Sequence, residues 1–165
     1  METPDLRQLQ SVFENHFNCT LIHDADIKIE DQLIVDLPND ANERPRQCEF
    51  LILPDEDGLC YLQYFSAMNF GYNPELNNET TRLIAYINAI LPLIGFGFSE
   101  ELEMLYYRCV VPCPNKPFDQ EIHLHNVFVL IYLLDNFSFF IEAISNGLKT
   151  FEECCHEIKR IKHIE

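Results

Sequence analysis

The side chains of this chain that could bind metal or act as nucleophile, acid or base are seven cysteines, six histidines and 27 carboxylates. Thiolates and imidazoles make a structural zinc site when four of them arrive as two close pairs on turns. Three residues separate Cys109 from Cys113, His123 and His125 flank Leu124, and Cys154, Cys155 and His156 are consecutive. On a helix, His123 and His125 point to different sides, and adjacent cysteines suit burial better than chelation. His23-Asp24-Ala25-Asp26 could place two carboxylates on one strand face, as a hard-cation or acid–base pair. Asp55-Glu56-Asp57-Gly58 is acidic but lacks the alternating ligands and closing glutamate of a calcium loop. Turn chemistry accounts for both stretches. There is no G-x-S-x-G elbow and no P-loop. Gly95-Phe96-Gly97-Phe98 holds two glycines of the dinucleotide motif but precedes a strand, whereas that motif follows one. The sequence therefore predicts no metal, no cofactor and no catalytic residue, and the chain reads as a non-enzyme.

One run could act by binding instead. In Phe65-Ser66-Ala67-Met68-Asn69-Phe70-Gly71-Tyr72, the side chains of Phe65, Met68, Phe70 and Tyr72 would form an apolar patch for a partner peptide if exposed. Folded over a sheet edge, the same residues would line the core. Charge narrows the partner. Eleven lysines and arginines against 27 acids give a net −16, which disfavours nucleic acid and anionic membrane surfaces alike. Met1 to Asp57 alone carries 14 acids and 4 bases. Such a field is suited to solubility or to steering a basic protein partner.

The elements that position these residues follow from periodicity. Leu6, Leu9, Val12 or Phe13, and Phe17 share a face of a helix over residues 4–17, with Thr3 as N-cap and Pro4 in the first turn. Alternation predicts strands at 27–30, 33–37, 47–53 and 59–65, the last two joined by a turn at Pro54–Gly58. A second helix runs from Asn77 or Asn78 to Ile90 with the stripe Leu83, Ile84, Ile87, the expected contact of a possible homodimer. A turn into a strand follows at 93–98, then a strand at 101–111 bounded by Pro112 and Pro114. Residues 118–134 and 137–145 read as two helices interrupted at Asp135-Asn136, and Thr150–Glu153 is a capping box for a last helix. The fold class expected is α+β: an antiparallel sheet of about five strands with an N-terminal, a middle and C-terminal helices, forming one domain over 1–165. The odd cysteine count and the lack of a basic, apolar leader predict a cytoplasmic, reduced protein. No uncharged apolar stretch reaches spanning length; residues 122–134 come nearest and read as a core helix.

Leu91-Pro92-Leu93-Ile94-Gly95-Phe96-Gly97-Phe98, Tyr106-Tyr107-Arg108, Asp135-Asn136-Phe137 and Ala143-Ile144-Ser145-Asn146-Gly147 resemble the YbjN family, which is similar in fold to the type III secretion chaperones. The motifs lie within 91–147, and the order of elements extends the resemblance over about 5–160. It implies a chaperone-like bacterial α+β domain, often dimeric, that binds protein segments. The long C-terminal helical part departs from the secretion chaperones. The functions expected are thus a protein- or peptide-binding module, a homodimeric structural or regulatory protein without a client, or a small-molecule-binding domain.

Overall fold

A computed structural model describes residues 4–23, 31–54, 60–114 and 116–162. Its first helix, α1 (Leu6–Phe13), begins where Asp5 closes a reciprocal box: the Asp5 carboxylate accepts the Arg7 N–H at 2.8 Å, and the Gln8 side chain accepts the Asp5 N–H at 3.4 Å. That box sets a later start than Thr3 and Pro4 would; Thr3 lies outside the described residues. The helix ends at Phe13, and turns carry the chain to Phe17.

The strands are β1 (Cys19–Ile22), β2 (Gln32–Leu37), β3 (Arg46–Pro54), β4 (Cys60–Ala67), β5 (Phe96–Ser99) and β6 (Met104–Cys113). They form one antiparallel sheet in the order β1-β2-β3-β4-β6-β5, one strand more than the expected five. Among the described residues β2 is joined not by 27–30 but by β1, through pairs such as Cys19↔Val35 and Leu21↔Leu33. Residues 27–30 and most of the turn at 54–58 lie outside the described residues. Two four-residue strands, β1 and β5, therefore bound the sheet.

A 3-10 turn (Pro74–Leu76) leads into α2 (Asn77–Ile90). Leu83, Ile84 and Ile87 are 0%, 6% and 0% exposed in the core of their own chain. The stripe expected to join two copies is thus consumed by the fold, and this corrects the expected dimer contact. The segment 120–145 is one helix, α3 (Gln120–Ser145), without the interruption at 135–136. Asn136 Nδ2 donates to the Tyr132 carbonyl at 2.7 Å, and Asp135 points outward to Arg46. Neither side chain competes for the helical N–H groups, so the helix runs through. By length and composition α3 could cross a membrane, with a mean hydropathy of 1.9, but half of that stretch is buried inside the fold. The last helix, α4 (Phe151–Lys162), starts at the expected box: the Thr150 N–H donates to Glu153 at 2.8 Å and the Glu153 N–H donates to the Thr150 hydroxyl at 3.3 Å.

Strand alternation gives the sheet two unlike faces. The inner face carries Leu33, Val35, Cys48, Phe50, Leu62, Tyr64, Leu105 and Tyr107, all buried in one core with the helices. Ring contacts join the layers: Phe13 to Phe50 at 5.2 Å, and Phe96 to Phe137 at 6.4 Å. On the outer face, cross-strand rows such as Ile34–Glu49–Phe65–Arg108 and Gln32–Leu51–Gln63–Val110 remain half-covered or exposed. The Gly-Phe-Gly motif serves this sheet. A Cβ at Gly95 would lie 2.6 Å from the Tyr107 ring, and one at Gly97 would lie 2.6 Å from the Tyr106 ring. Each glycine leaves room for a tyrosine, not for a phosphate.

Candidate functional site

Strand and helix geometry separates the residues with metal-binding chemistry. Cys109 and Cys113 share a face of β6 four residues apart, about 13 Å at strand rise, too far to hold one ion. His123 is buried while His125 is exposed; Cys154 is buried and His156 exposed. Among the described residues no three metal-binding side chains gather. All seven thiols are free. Burial pushes each of them up, Cys19 and Cys154 to about 11, which is the reverse of what an activated thiolate needs.

One buried polar triad lies under the helices. Asn126 Nδ2 donates to Tyr64 Oη at 3.4 Å, leaving the Tyr64 O–H to donate to His123 Nδ1 at 2.5 Å. Burial drives the Tyr64 hydroxyl pKa up and the His123 imidazole pKa down; Asp119 opposes the latter only in part. Both groups are therefore held neutral. The cavity beside them, reached by Tyr107, Cys109 and Leu130, measures about 10 Å³. That is at the lower limit for a single water molecule.

The expected partner patch is dispersed. Phe65 lies on the outer sheet face, stacked on Tyr106 with centroids 5.7 Å apart. Met68 is 9% exposed. Phe70 is half-buried beneath the Arg44 guanidinium, 5.4 Å from its ring centroid. Tyr72 packs edge-on against Phe98 at 4.9 Å. The alternative of core lining holds for Met68, Phe70 and Tyr72, while Phe65 belongs to a different surface.

What Met68 and Phe70 support is the 38–46 loop, which forms a site with α3. The loop is folded around Asp40, whose carboxylate accepts the N–H groups of Asn42 (2.8 Å) and Arg44 (2.9 Å) and the Arg44 Nε (2.6 Å). Glu43 turns the chain at φ 61°, in the left-handed region. Burial by itself would raise the Asp40 carboxyl, but the hydrogen bonds from Arg44 and Asn42 outweigh it and hold it below the usual range. Arg44 then reaches α3 as a two-point clamp on Glu142, both bonds 2.7 Å. Such a forked pair fixes orientation as well as charge.

Arg46 sits behind this clamp, 8% exposed. Its Nε donates to the Pro38 carbonyl (2.7 Å) and its Nη2 to the Asn39 carbonyl (3.3 Å). Its Nη1 lies 2.8 Å from Asp135 Oδ1 but off the hydrogen-bond direction, and it is a buried donor with no aligned acceptor. Two clefts share this guanidinium. One, of about 330 Å³, lies between the loop and α3 and includes Asp40, Asp135, Phe139 and Glu142. The other, of about 700 Å³, lies between the end of α1 and the loop and includes Glu14, Phe17, Asp36 and Leu37. The result is a trough with an acidic rim, apolar patches and one buried donor. Sequence reasoning missed it because Arg44 and Arg46 meet Glu142 and Asp135 only after about ninety intervening residues have folded. The signal in the sequence was indirect: two arginines in an acidic half otherwise almost free of bases.

A second surface lies on the solvent side of α3. Ile122, Phe128, Tyr132 and Phe139 are 45–56% exposed, and no Asp, Glu, Lys or Arg occurs from Ile122 to Leu134. Phe128 contacts His16 and Phe17, each at 5.7 Å.

Comparison of the chain with protein-family models, with curated proteins and with solved structures finds no match in any of the three. A functional reading therefore rests on the chain's own geometry.

Proposed function

We propose that this chain is a non-enzymatic, chaperone-like protein-binding module that takes a basic, extended segment of a partner protein into the trough around Arg46. The observation that carries the reading is the buried Arg46 Nη1, a donor without an aligned acceptor, where two clefts meet. Asp135 pairs with its charge at 2.8 Å without lying along the donor direction, so a ligand carbonyl placed on that direction adds a hydrogen bond worth about 1 kcal/mol. The surroundings select that ligand. Glu14, Asp36, Asp40, Asp135 and Glu142 outnumber the two arginines, so an anion is repelled, whereas a peptide carbonyl satisfies Arg46 and a neighbouring Lys or Arg meets the rim. Phe17, Leu37 and Phe139 offer apolar contact between those points. The net charge of −16 steers such a segment from a distance. Seven free thiols suit a reducing, cytoplasmic setting.

The test is binding of a panel of labelled extended peptides carrying Lys or Arg between apolar residues, followed by fluorescence anisotropy. Expected is salt-sensitive binding that weakens roughly tenfold when Glu14→Gln and Asp36→Asn are combined, as loss of two rim charges implies. Both amides keep the shape of their parents, and each parent accepts only an exposed glutamine amide. Binding unchanged in the double variant, or no binding by any basic peptide, would sink the proposal.

A further inference from the structure

The exposed ridge of α3 has a spacing that the partner trough does not use. Glu121, His125, Phe128, Tyr132, Asp135 and Phe139 are all exposed. They follow one another at intervals of four, three, four, three and four residues. At 100° per residue they fall within an arc of about 80°. This is the period of a coiled-coil seam, on a side of α3 that the rest of the fold touches only in places: His16 and Phe17 at Phe128, Arg46 at Asp135 and Lys149 at Phe139. The interval order also reads the same in both directions about residue 130.

We infer that this ridge is the contact between two copies of the chain, with their α3 helices antiparallel across a two-fold axis that passes between Phe128 and Tyr132. An interface between identical surfaces must be self-complementary, and the ridge meets that condition. The two-fold axis sets Phe128 against the second copy's Tyr132, His125 against its Asp135, and Glu121 against its Phe139. Lys149 lies 5.3 Å from the Phe139 ring and is held by Glu157 at 2.6 Å, so the Glu121 end of one copy meets an ion pair of the other. The aromatic centre and the flanking His125–Asp135 contact thus each occur twice across the axis. The ridge spans 19 residues, about 27 Å at helical rise. Its large side chains, with the adjacent Ile122, offer on the order of 400 Å² of half-exposed apolar surface per copy. With the polar rim, this suits the lower end of specific interfaces, about 1,200 Å² in total. The ridge shares Asp135 and Phe139 with the proposed partner trough, but pairing of two copies is read by sedimentation without any peptide, so the two proposals fail separately.

Charge provides a signature. Each copy carries −16, so salt that screens mutual repulsion tightens the pair, whereas salt weakens a complex with a basic client. Sedimentation of the full chain over a micromolar concentration series, at low and high salt, is expected to show a dimer that strengthens with salt. Tyr132→Glu puts a carboxylate into the aromatic centre and is expected to weaken it roughly a hundredfold. His125→Lys faces Asp135 and tightens the pair; His125→Asp weakens it. Thr81→Lys, an exposed site on α2, controls for the change in net charge. Circular dichroism confirms that each variant is folded; should Tyr132→Glu not fold, the opposite signs at His125 decide. A monomer at every concentration in both salts, a Tyr132→Glu variant that still dimerises, or His125 variants that match the Thr81→Lys control would each overturn the inference. So would a monomer that binds neutral lipid vesicles through Tyr132, which would assign the ridge to a membrane surface.

Discussion

The two faces of the sheet carry similar side chains and differ in what they are worth. On β6, Tyr106 and Tyr107 are neighbours that point to opposite faces, and each lies over a glycine of the same motif. Tyr107 is 1% exposed, packed on Phe96 at 5.2 Å, with its hydroxyl donating to the Leu93 carbonyl at 3.2 Å. Tyr106 is half-covered and leans on Phe65. An identical residue type is thus a structural pillar on one side and a replaceable cover on the other. What decides is the helical layer, which leaves the inner side chains no room to move.

That contrast can be broken, or sharpened, by paired substitutions. The largest gap is expected between Phe50→Ala and Phe65→Ala. Phe50 is 0% exposed and touches both Phe13 and Tyr64, so its loss costs about 3–5 kcal/mol. Phe65 loses a half-exposed stack worth about 1 kcal/mol. Chemical denaturation of both variants measures this, and equal losses would mean that the outer face is also packed. A smaller gap is expected between the glycines. Gly95→Ala forces the buried Tyr107 ring to shift, at about 1–3 kcal/mol for overpacking. Gly97→Ala meets the free end of the Tyr106 ring, which can swing outward, so the cost falls below about 1 kcal/mol. Thermal unfolding ranks the two, and the reverse order would show Tyr106 to be the fixed ring.

The smallest effect is a pH dependence that only the inner face can produce. Burial lowers the His123 pKa in the folded chain below that of an ordinary imidazole. The unfolded chain then binds more protons in the interval between the lowered and ordinary values, so stability falls as pH drops through that interval. A His123→Gln variant is expected to lose this part of the acid-side decline while retaining a side-chain partner for Tyr64. Melting curves from neutral to mildly acidic pH test it; an identical decline in both proteins would assign the acid sensitivity to the carboxylates, Asp40 among them.

Much of this architecture was legible because local chemistry and tertiary packing agree. The strands at 47–53 and 59–65, the helix ending at Ile90 and the box at Thr150 each carry their own signal, and each folds where that signal lies. Asp135-Asn136 misled because aspartate and asparagine usually favour helix ends. Here one is drawn outward by Arg46 and the other bonds to the turn behind it. Cys19–Ile22 has too short an alternation to mark a strand without the neighbouring β2. The trough was illegible for a deeper reason: its contacts join the 38–46 loop to α3, and no local pattern encodes a partner that far along the chain. The ridge on α3 was hidden by hydrophobicity on its other sides, since a helix apolar nearly all round reads as wholly buried.

The four-residue strands at the two rims of the sheet have a consequence for how concentrated this protein can become. A broad sheet whose outer face carries half-covered side chains such as Ile34, Leu51, Phe65 and Val110 invites lateral addition of further chains, strand upon strand, into fibrils. Growth of that kind starts from long, flat rims with unpaired backbone groups, and β1 and β5 present only short ones among the described residues. The molecule can therefore leave that mixed face open to solvent while offering little template for polymerisation.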